Sequence, residues 1–141
     1  MKFESATEIN ASPEQIWSAV GDPEEWSKWM ASIEKIEKLD TEPLGAGSRI
    51  RVVARARVAR VNLLMTITEF VPPQRVVMEG KVLGTRLTRY YTLEPKNEQT
   101  RVTAGGEASG PMAWLVSRGG QALSNEIVQS FKKKIEGELI S

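Results

Sequence analysis

Apolar residues recur every three or four positions through the last part of the chain, from Pro111 to Ile140. This spacing places side chains along one side of a helix, and a proline suits the first helical position because its missing N–H has no helical partner there. The pattern therefore predicts one long C-terminal helix. A strict step of four drifts by about 40° each time, so we expect the apolar stripe to wind around the helix or the helix to bend. The stripe contains Leu115, Gly119, Leu123, Ile127, Phe131, Ile135 and Leu139.

The glycine pair Gly119–Gly120 lies inside this predicted helix. Each glycine costs about 1 kcal/mol relative to alanine in a helix interior, so the pair must have a structural reason. One interpretation is a close approach of the helix to a ligand or a strand. The other is a break between a short first helix and a longer second one.

Apolar and polar residues alternate in short segments before this helix and predict seven strands. The predicted strands cover residues 3–10, 32–39, 48–58, 61–71, 75–83, 85–93 and 100–109. Two short helices follow the first strand, because Ser12-Pro13 and Asp22-Pro23 each combine a capping residue with a proline at the first helical position. Residues 94–97, which contain Pro95 and Asn97, predict a hairpin turn.

This order of elements predicts the fold class. Consecutive strands joined by short turns favour an antiparallel meander, and a sheet with one apolar face needs a covering layer. The sequence therefore predicts an α+β fold. A curved antiparallel sheet of about seven strands would carry the long C-terminal helix across its concave face.

Composition narrows the possible functions. With 141 residues the chain has the length of one domain, and we interpret residues 1–141 as a single domain. It contains no cysteine and no histidine, which excludes thiolate nucleophiles, Ser-His-Asp catalysis and the commonest metal ligands. No acidic cluster has metal-site spacing, so we expect neither a metal nor a cofactor. The sequence shows no signal peptide and no apolar run of about 18 residues, so we expect a cytoplasmic protein without a membrane span.

Five arginines lie close together in the central strands: Arg49, Arg51, Arg55, Arg57 and Arg60. A basic stripe can bind nucleic-acid phosphates. Strand alternation, however, places most of this stripe on the convex, solvated face, and no aromatic residues are interleaved with it. Glu34, Glu37 and Glu79 are available to offset its charge. Since the net charge of the chain is only +1, the sequence does not favour a nucleic-acid partner.

Motifs spread over the whole chain point to one superfamily. They are residues 9–17 (INASPEQIW), Asp22-Pro23 with Trp26 and Trp29, residues 47–50 (GSRI), 68–76 (TEFVPPQRV), 91–95 (YTLEP), 100–103 (TRVT) and the last helix. In this order and spacing they resemble the START-related helix-grip proteins, also called SRPBCC, and most closely their polyketide cyclase/dehydrase-like branch. The resemblance implies a START-like fold with a hydrophobic ligand cavity. It does not select one function, because members include carriers, lipid-transfer domains, cyclases and co-chaperone modules.

A cavity between the last helix and the inner sheet would be lined by alternate residues of each strand. Methionine adapts to irregular surfaces and aromatic rings offer flat contacts, so both types are candidates for the lining. The candidate ligand-binding residues are Trp29, Met30, Met65, Met78, Arg89, Tyr91, Leu115, Gly119 and Leu123. Each apolar member can equally belong to the core. No residue is assigned a catalytic role.

Arg89 is the most informative candidate. Strand alternation places it on the same face as Leu87 and Tyr91, so we expect it to face inward. A buried cation is unfavourable unless it is paired, and a ligand carboxylate or carbonyl beside the Tyr91 hydroxyl would provide a partner. The alternatives are an internal pairing with Glu69 or Glu107, or a bulge that turns the side chain outward.

Three functions fit these observations. The first is binding or transport of a small, mostly apolar or aromatic ligand, with one acidic or carbonyl group held by Arg89. The second is a cyclase/dehydrase-type enzyme in which Arg89, Tyr91 or Glu69 polarises the substrate or moves protons. The third is a protein-interaction module in which the helix and the arginine face meet a partner chain. A substantial cavity favours the first two and a filled core the third, while a monomer and a homodimer both fit.

Overall fold

The computed structural model of the protein describes residues 1–56 and 59–140. In chain order these form β1 (Lys2–Ile9), α1 (Pro13–Val20), a 3₁₀ helix (Pro23–Lys28), β2 (Ile33–Lys38), β3 (Arg49–Ala56), β4 (Ala59–Val71), β5 (Arg75–Val82), β6 (Thr85–Lys96), β7 (Gln99–Ser109) and α2 (Ala113–Ile140). Arg57 and Val58, at the end of the predicted third strand, lie outside the described residues.

The two short helices begin at the predicted capping residues. Ser12 Oγ accepts a hydrogen bond from the Gln15 N–H at 3.2 Å, and Gln15 Oε1 accepts one from the Ser12 N–H at 2.9 Å, which completes a capping box. Asp22 Oδ1 accepts a hydrogen bond from the Glu24 N–H at 3.2 Å. The second helix is a 3₁₀ helix of 6 residues. These local signals confirm the helical corner that follows β1.

The strands form one antiparallel sheet with the order β1-β7-β6-β5-β4-β3-β2. Neighbours from β2 to β7 follow one another in the chain, as short turns predict, whereas β1 pairs with the distant β7. The sheet curls into half a barrel, and a register shift between Ile67 and Glu69 adds a local bend. The long helix packs on this sheet, which confirms the predicted α+β helix-grip architecture.

The hairpin turn predicted at residues 94–97 lies further along the chain. Strand β6 continues through Pro95 to Lys96, and Asn97 and Glu98 form the turn. Proline is tolerated only where its missing N–H faces no partner strand. Pro95 meets this condition because the pairing of β6 with β5 stops at Thr92, so the following residues form a free edge. Asn97 adopts the positive φ of 59° that suits a two-residue turn.

Helix α2 packs against one side of the sheet, mainly on β1 and β7. A Cβ atom at Gly106 of β7 would lie 2.7 Å from the Phe3 ring, and one at Gly120 of α2 would lie 2.5 Å from it. Phe3 of β1 therefore lies between two glycines, one in the sheet and one in the helix. Because the helix is placed on this side, the inner faces of β3 to β6 are partly uncovered.

The glycine pair does not break α2, which begins two residues after Pro111 and is continuous from Ala113 to Ile140. The interpretation of a helix break is therefore wrong. Gly120 instead permits the close approach to β1, while nothing lies within 4 Å of a Cβ atom built at Gly119. Although α2 has 28 residues, neither it nor any other helix in the described part of the chain is apolar enough to cross a membrane.

The apolar stripe winds around α2 as its four-residue step predicts. Ile127, Phe131 and Ile135 are buried in the core. Leu115 and Gly119, at the beginning of the stripe, are exposed. The first half of the stripe therefore faces the uncovered part of the sheet, and only the second half packs into the core.

The two adjacent glycines of α2 should respond in opposite ways to alanine. Gly120→Ala is expected to lower the free energy of unfolding by about 1–3 kcal/mol, because its methyl group meets the buried Phe3 ring. Gly119→Ala is expected to raise it by up to about 1 kcal/mol, because a helix favours alanine and no neighbour is close. Urea unfolding of the two variants checks this. Equal stabilisation by both would contradict the position of Phe3.

Candidate functional site

A cavity of about 490 Å³ lies between the first half of α2 and the inner faces of β3 to β6. Small-molecule sites commonly have about 300–1,000 Å³. The wall is mainly apolar and includes Val61, Leu63, Leu87, Val116, Ala122 and Leu123. The interior is thus not filled, which favours the ligand-binding and enzyme hypotheses over the interaction module.

Strand β6 positions Arg89 at the wall of this cavity. Leu87 and Arg89 share the buried face of the strand, as predicted. Arg89 is the register partner of Gly106 on β7, which has no side chain to obstruct it. The guanidinium carbon lies 5.4 Å from the centre of the Phe3 ring and 5.6 Å from that of Tyr91. Two aromatic rings therefore hold the cation in place.

The hydrogen bonds of Arg89 leave its charge uncompensated. The side chain is only 3% exposed. Nη2 donates to Ser124 Oγ at 3.0 Å, Nη1 donates to the Gly120 carbonyl oxygen at 3.4 Å, and the buried Nε has no partner. None of the carboxylates described by the structure lies within ion-pair distance. Burial of a cation without a counter-ion is unfavourable by several kcal/mol, so Arg89 is suited to receive an anion or a carbonyl oxygen.

The internal alternatives for Arg89 are not found. Glu69 is exposed and accepts a hydrogen bond from Arg75 Nε at 3.2 Å. Glu107 is also exposed to solvent. Strand β6 pairs in continuous register with β5 and with β7, so no bulge turns Arg89 outward.

A second, smaller void of about 70 Å³ adjoins Tyr91 near α1 and the 3₁₀ helix. Its lining includes Trp17, Trp26, Phe70, Met78, Tyr91 and Phe131. The Trp26 ring packs edge-on at 5.1 Å from Phe131 and 5.9 Å from Tyr91, and its Nε1 donates to the Val20 carbonyl oxygen at 2.8 Å. This aromatic cluster closes the end of the fold near α1.

The structure brings four of the predicted site residues together. Arg89, Leu115, Gly119 and Leu123 all line the main cavity. Leu63, Leu87, Val116 and Ala122 also line it and were not among the candidates. The inward parity of Leu63 and Leu87 is a usable signal, and Val116 lies beside the first turns of the predicted stripe, whereas Ala122 lies off the stripe and carries no signal.

The other five candidates lie outside the main cavity. Met78 and Tyr91 line the small void. Trp29 borders an open groove on α2, with Lys134 Nζ 5.3 Å above its ring. Met30 and Met65 are each 1% exposed and belong to the hydrophobic core. A ligand-binding role for all nine residues remains a prediction.

Acid–base groups are scarce at the cavity. Glu126 lines it, but its Oε1 accepts a hydrogen bond from the Ser32 N–H at 3.0 Å. Tyr90 points to the opposite face of the sheet, where burial and a hydrogen bond to Glu4 raise its pKa to about 12. Its phenol therefore stays protonated at neutral pH. Within residues 1–56 and 59–140, no group of three or more carboxylates is placed to hold a metal ion.

The described arginines of the basic stripe form ion pairs on the exposed face. The pairs are Arg49–Asp40 (3.1 Å), Arg51–Glu37 (3.1 Å), Arg55–Glu34 (3.5 Å) and Arg60–Glu34 (2.9 Å). Hydrogen bonds from the backbone and side chain of Arg49 lower the pKa of Asp40 below its usual value. The expected offset by Glu34 and Glu37 is therefore seen, and it disfavours phosphate binding. Arg57 lies outside the described residues.

Residues 1–136 match the family model described as polyketide cyclase/dehydrase and lipid transport. The chain belongs to this family. The match extends over the motifs at residues 9–17 and 68–76 and confirms the resemblance that they carry. It agrees with the helix-grip architecture and with a cavity beneath the long helix.

Individual proteins resemble this chain in sequence or in fold. The uncharacterized protein Rv1546 of Mycobacterium tuberculosis is 28% identical over 137 residues, which cover 96% of this chain and 89% of that protein. The structure of TTHA0849 from Thermus thermophilus has a TM-score of 0.80 at 20% identity and covers 98% of this chain and 99% of its own. The Zhui aromatase/cyclase from Streptomyces sp. R1128 has a TM-score of 0.74 at 10% identity, with coverages of 99% and 95%. At these identities the structural likeness shows the fold alone.

Replacement of Arg89 by an apolar residue should stabilise the protein in the absence of ligand. Arg89→Met is expected to raise the free energy of unfolding by about 1–3 kcal/mol, because it removes a buried cation without a counter-ion. Arg101→Met, on the exposed face of β7, is the control and should change it by less than about 0.5 kcal/mol. Urea unfolding provides the measurement. A large loss of stability in Arg89→Met would instead make Arg89 a structural link between β6 and α2.

Proposed function

We propose that this protein binds or carries a small, mostly apolar or aromatic molecule in the cavity between α2 and the sheet. Arg89 holds one anionic or carbonyl group of that molecule. The observation that carries this proposal is the buried guanidinium of Arg89, which lies at the wall of a 490 Å³ apolar cavity with an unbonded Nε and no described carboxylate partner.

The chemistry of the cavity fits a ligand with two unlike parts. Leu63, Leu87 and Leu123 offer an apolar surface that favours hydrocarbon or aromatic groups. Arg89 offers charge-assisted hydrogen bonds, which are about twice as strong as neutral ones and pair well with carboxylates. A bound carboxylate would supply the counter-ion that the folded chain lacks. The family description, which includes lipid transport, is consistent with such a ligand.

Catalysis of the cyclase/dehydrase type in the same cavity is the second candidate. The structural likeness to the Zhui aromatase/cyclase favours it. In an enzyme, Arg89 would polarise a substrate carbonyl and Glu126 would be the cavity carboxylate available to move a proton. Tyr91 lines the small void and Glu69 is exposed, which places both outside the main cavity. Loss of turnover with retained binding in Glu126→Gln would favour the enzyme.

A pair of fluorescent probes tests the role of Arg89. 1-Anilinonaphthalene-8-sulfonate carries an anionic group, and N-phenyl-1-naphthylamine has the same aromatic skeleton without it. Arg89→Met is expected to weaken binding of the sulfonate probe about tenfold or more, because one charge-assisted interaction is lost. The neutral probe should bind within about twofold of wild type, because the apolar wall is retained. Arg101→Met should leave both affinities unchanged. Equal losses for the two probes would contradict the proposed contact.

A cavity-filling variant tests where the probes bind. Leu123→Trp adds a larger side chain at the cavity wall and should weaken binding of both probes, because it occupies their space. Thermal unfolding of this variant establishes that the fold is retained. Unchanged affinity for both probes in a folded Leu123→Trp protein would place their site elsewhere and remove the proposal.

A further inference from the structure

Three large apolar side chains are exposed on the β5–β6 turn and the first turn of α2. Leu83, Trp114 and Leu115 are 65%, 52% and 41% exposed. Leu83 and Leu115 also line the cavity. The segment before α2 packs on the turn between β5 and β6, since the Met112 N–H donates to Thr85 Oγ1 at 3.0 Å. The three side chains therefore lie at one end of the fold, and we refer to them as the apolar rim.

Leu83 occupies a backbone position that is unfavourable for leucine. Leu83 and Gly84 form the two-residue turn between β5 and β6, with φ values of 53° and 74°. Such turns favour asparagine, aspartate and glycine, and a bulky side chain in the left-handed region is disfavoured. The side chain is also the most exposed of the rim. Packing within the fold thus does not account for leucine at this turn, whereas an external apolar contact does.

Positive charge surrounds the apolar rim. Lys81 and Arg86 face each other in register on either side of the turn, and Arg118 follows Leu115 by one helical turn on α2. All three are exposed, and none forms an ion pair with another residue that the structure describes. Like charges directly opposite each other on adjacent strands are unfavourable. Glu79 on β5 and Glu107 on β7 are exposed carboxylates two residue pairs further from the turn, so the three cations outnumber these two carboxylates and this end keeps a positive charge.

We propose that the apolar rim docks on a membrane surface that contains anionic lipids. Leu83, Trp114 and Leu115 enter the headgroup region, while Lys81, Arg86 and Arg118 contact lipid phosphates. Tryptophan and leucine beside lysine and arginine are typical of residues that bind at a membrane interface. A few protruding apolar side chains can insert into a bilayer, whereas a protein partner would need a surface of complementary shape.

A second copy of the chain fits this surface less well. A symmetric dimer places the same patch on both sides of its interface, so the cations near the rim would face their own copies. Docking would also set the mouth of the cavity against the bilayer and give an apolar ligand a route that avoids water. This last point rests on the proposed function, whereas the docking itself does not.

Vesicle co-sedimentation tests the apolar part of the surface. Wild-type protein should sediment with vesicles of phosphatidylcholine and phosphatidylglycerol, and much less with phosphatidylcholine alone. Leu83→Asn should weaken this binding about tenfold, because one leucine no longer enters the lipid. The same variant should raise Tm by about 3 °C, because asparagine suits the turn. Val71→Asn, at an exposed apolar residue at the end of β4 far from this turn, is the control and should leave vesicle binding unchanged.

The double variant Lys81→Gln/Arg86→Gln tests the charged part. It should weaken binding to the anionic vesicles about 25-fold, since each cation near such a surface contributes about fivefold. Arg89→Met should bind vesicles like wild type, which keeps this proposal separate from the ligand site. Equal binding to neutral and anionic vesicles, or equal losses in Val71→Asn and Leu83→Asn, would overturn the proposal. A wild-type dimer that Leu83→Asn converts to a monomer would assign the rim to a second copy instead.

Discussion

The position of Phe3 between Gly106 and Gly120 sets the geometry on which the rest of the fold depends. Two positions without side chains bring α2 close to β7 and β1, so the helix lies along one side of the sheet. A helix centred on the concave face would cover the inner residues of β3 to β6. The close contact on one side and the cavity on the other therefore have the same cause.

The same arrangement explains why a cation lies inside the fold. Gly106 leaves room beside Arg89, and the rings of Phe3 and Tyr91 hold the guanidinium at the cavity wall. A chain selected for stability alone would place an apolar side chain there, because an uncompensated buried charge lowers stability. An unfavourable residue at a cavity wall is the pattern expected where binding and stability make opposite demands.

Features determined by neighbouring residues could be predicted from the sequence. The caps at Ser12 and Asp22 and the inward face of Arg89 depend only on local spacing, and the structure agrees with each. The packing of α2 on the sheet was predicted and is confirmed, but its offset toward β1 and β7 could not be predicted, because it depends on Phe3 and Gly120, which lie far apart in the chain. Met30 and Met65 could not be distinguished from cavity residues, because core and cavity side chains both point to the inner side of the sheet. The continuation of β6 through Pro95 could not be predicted either, because it depends on where β5 ends.

Helix α2 packs on the sheet with one side and borders the cavity with another. Ile127 and Phe131 anchor it and Leu115 and Gly119 border the cavity, while Gly120 packs on Phe3 and also lines the cavity. Substitutions on the second side alter the shape and polarity of the cavity without disturbing the anchor. Substitutions can therefore change which ligand the cavity fits while the fold is kept. This agrees with the similar fold of the Zhui aromatase/cyclase at 10% sequence identity. Because the anchoring residues lie mainly on the other side, the cavity side of the helix is the place to engineer selectivity for a different ligand.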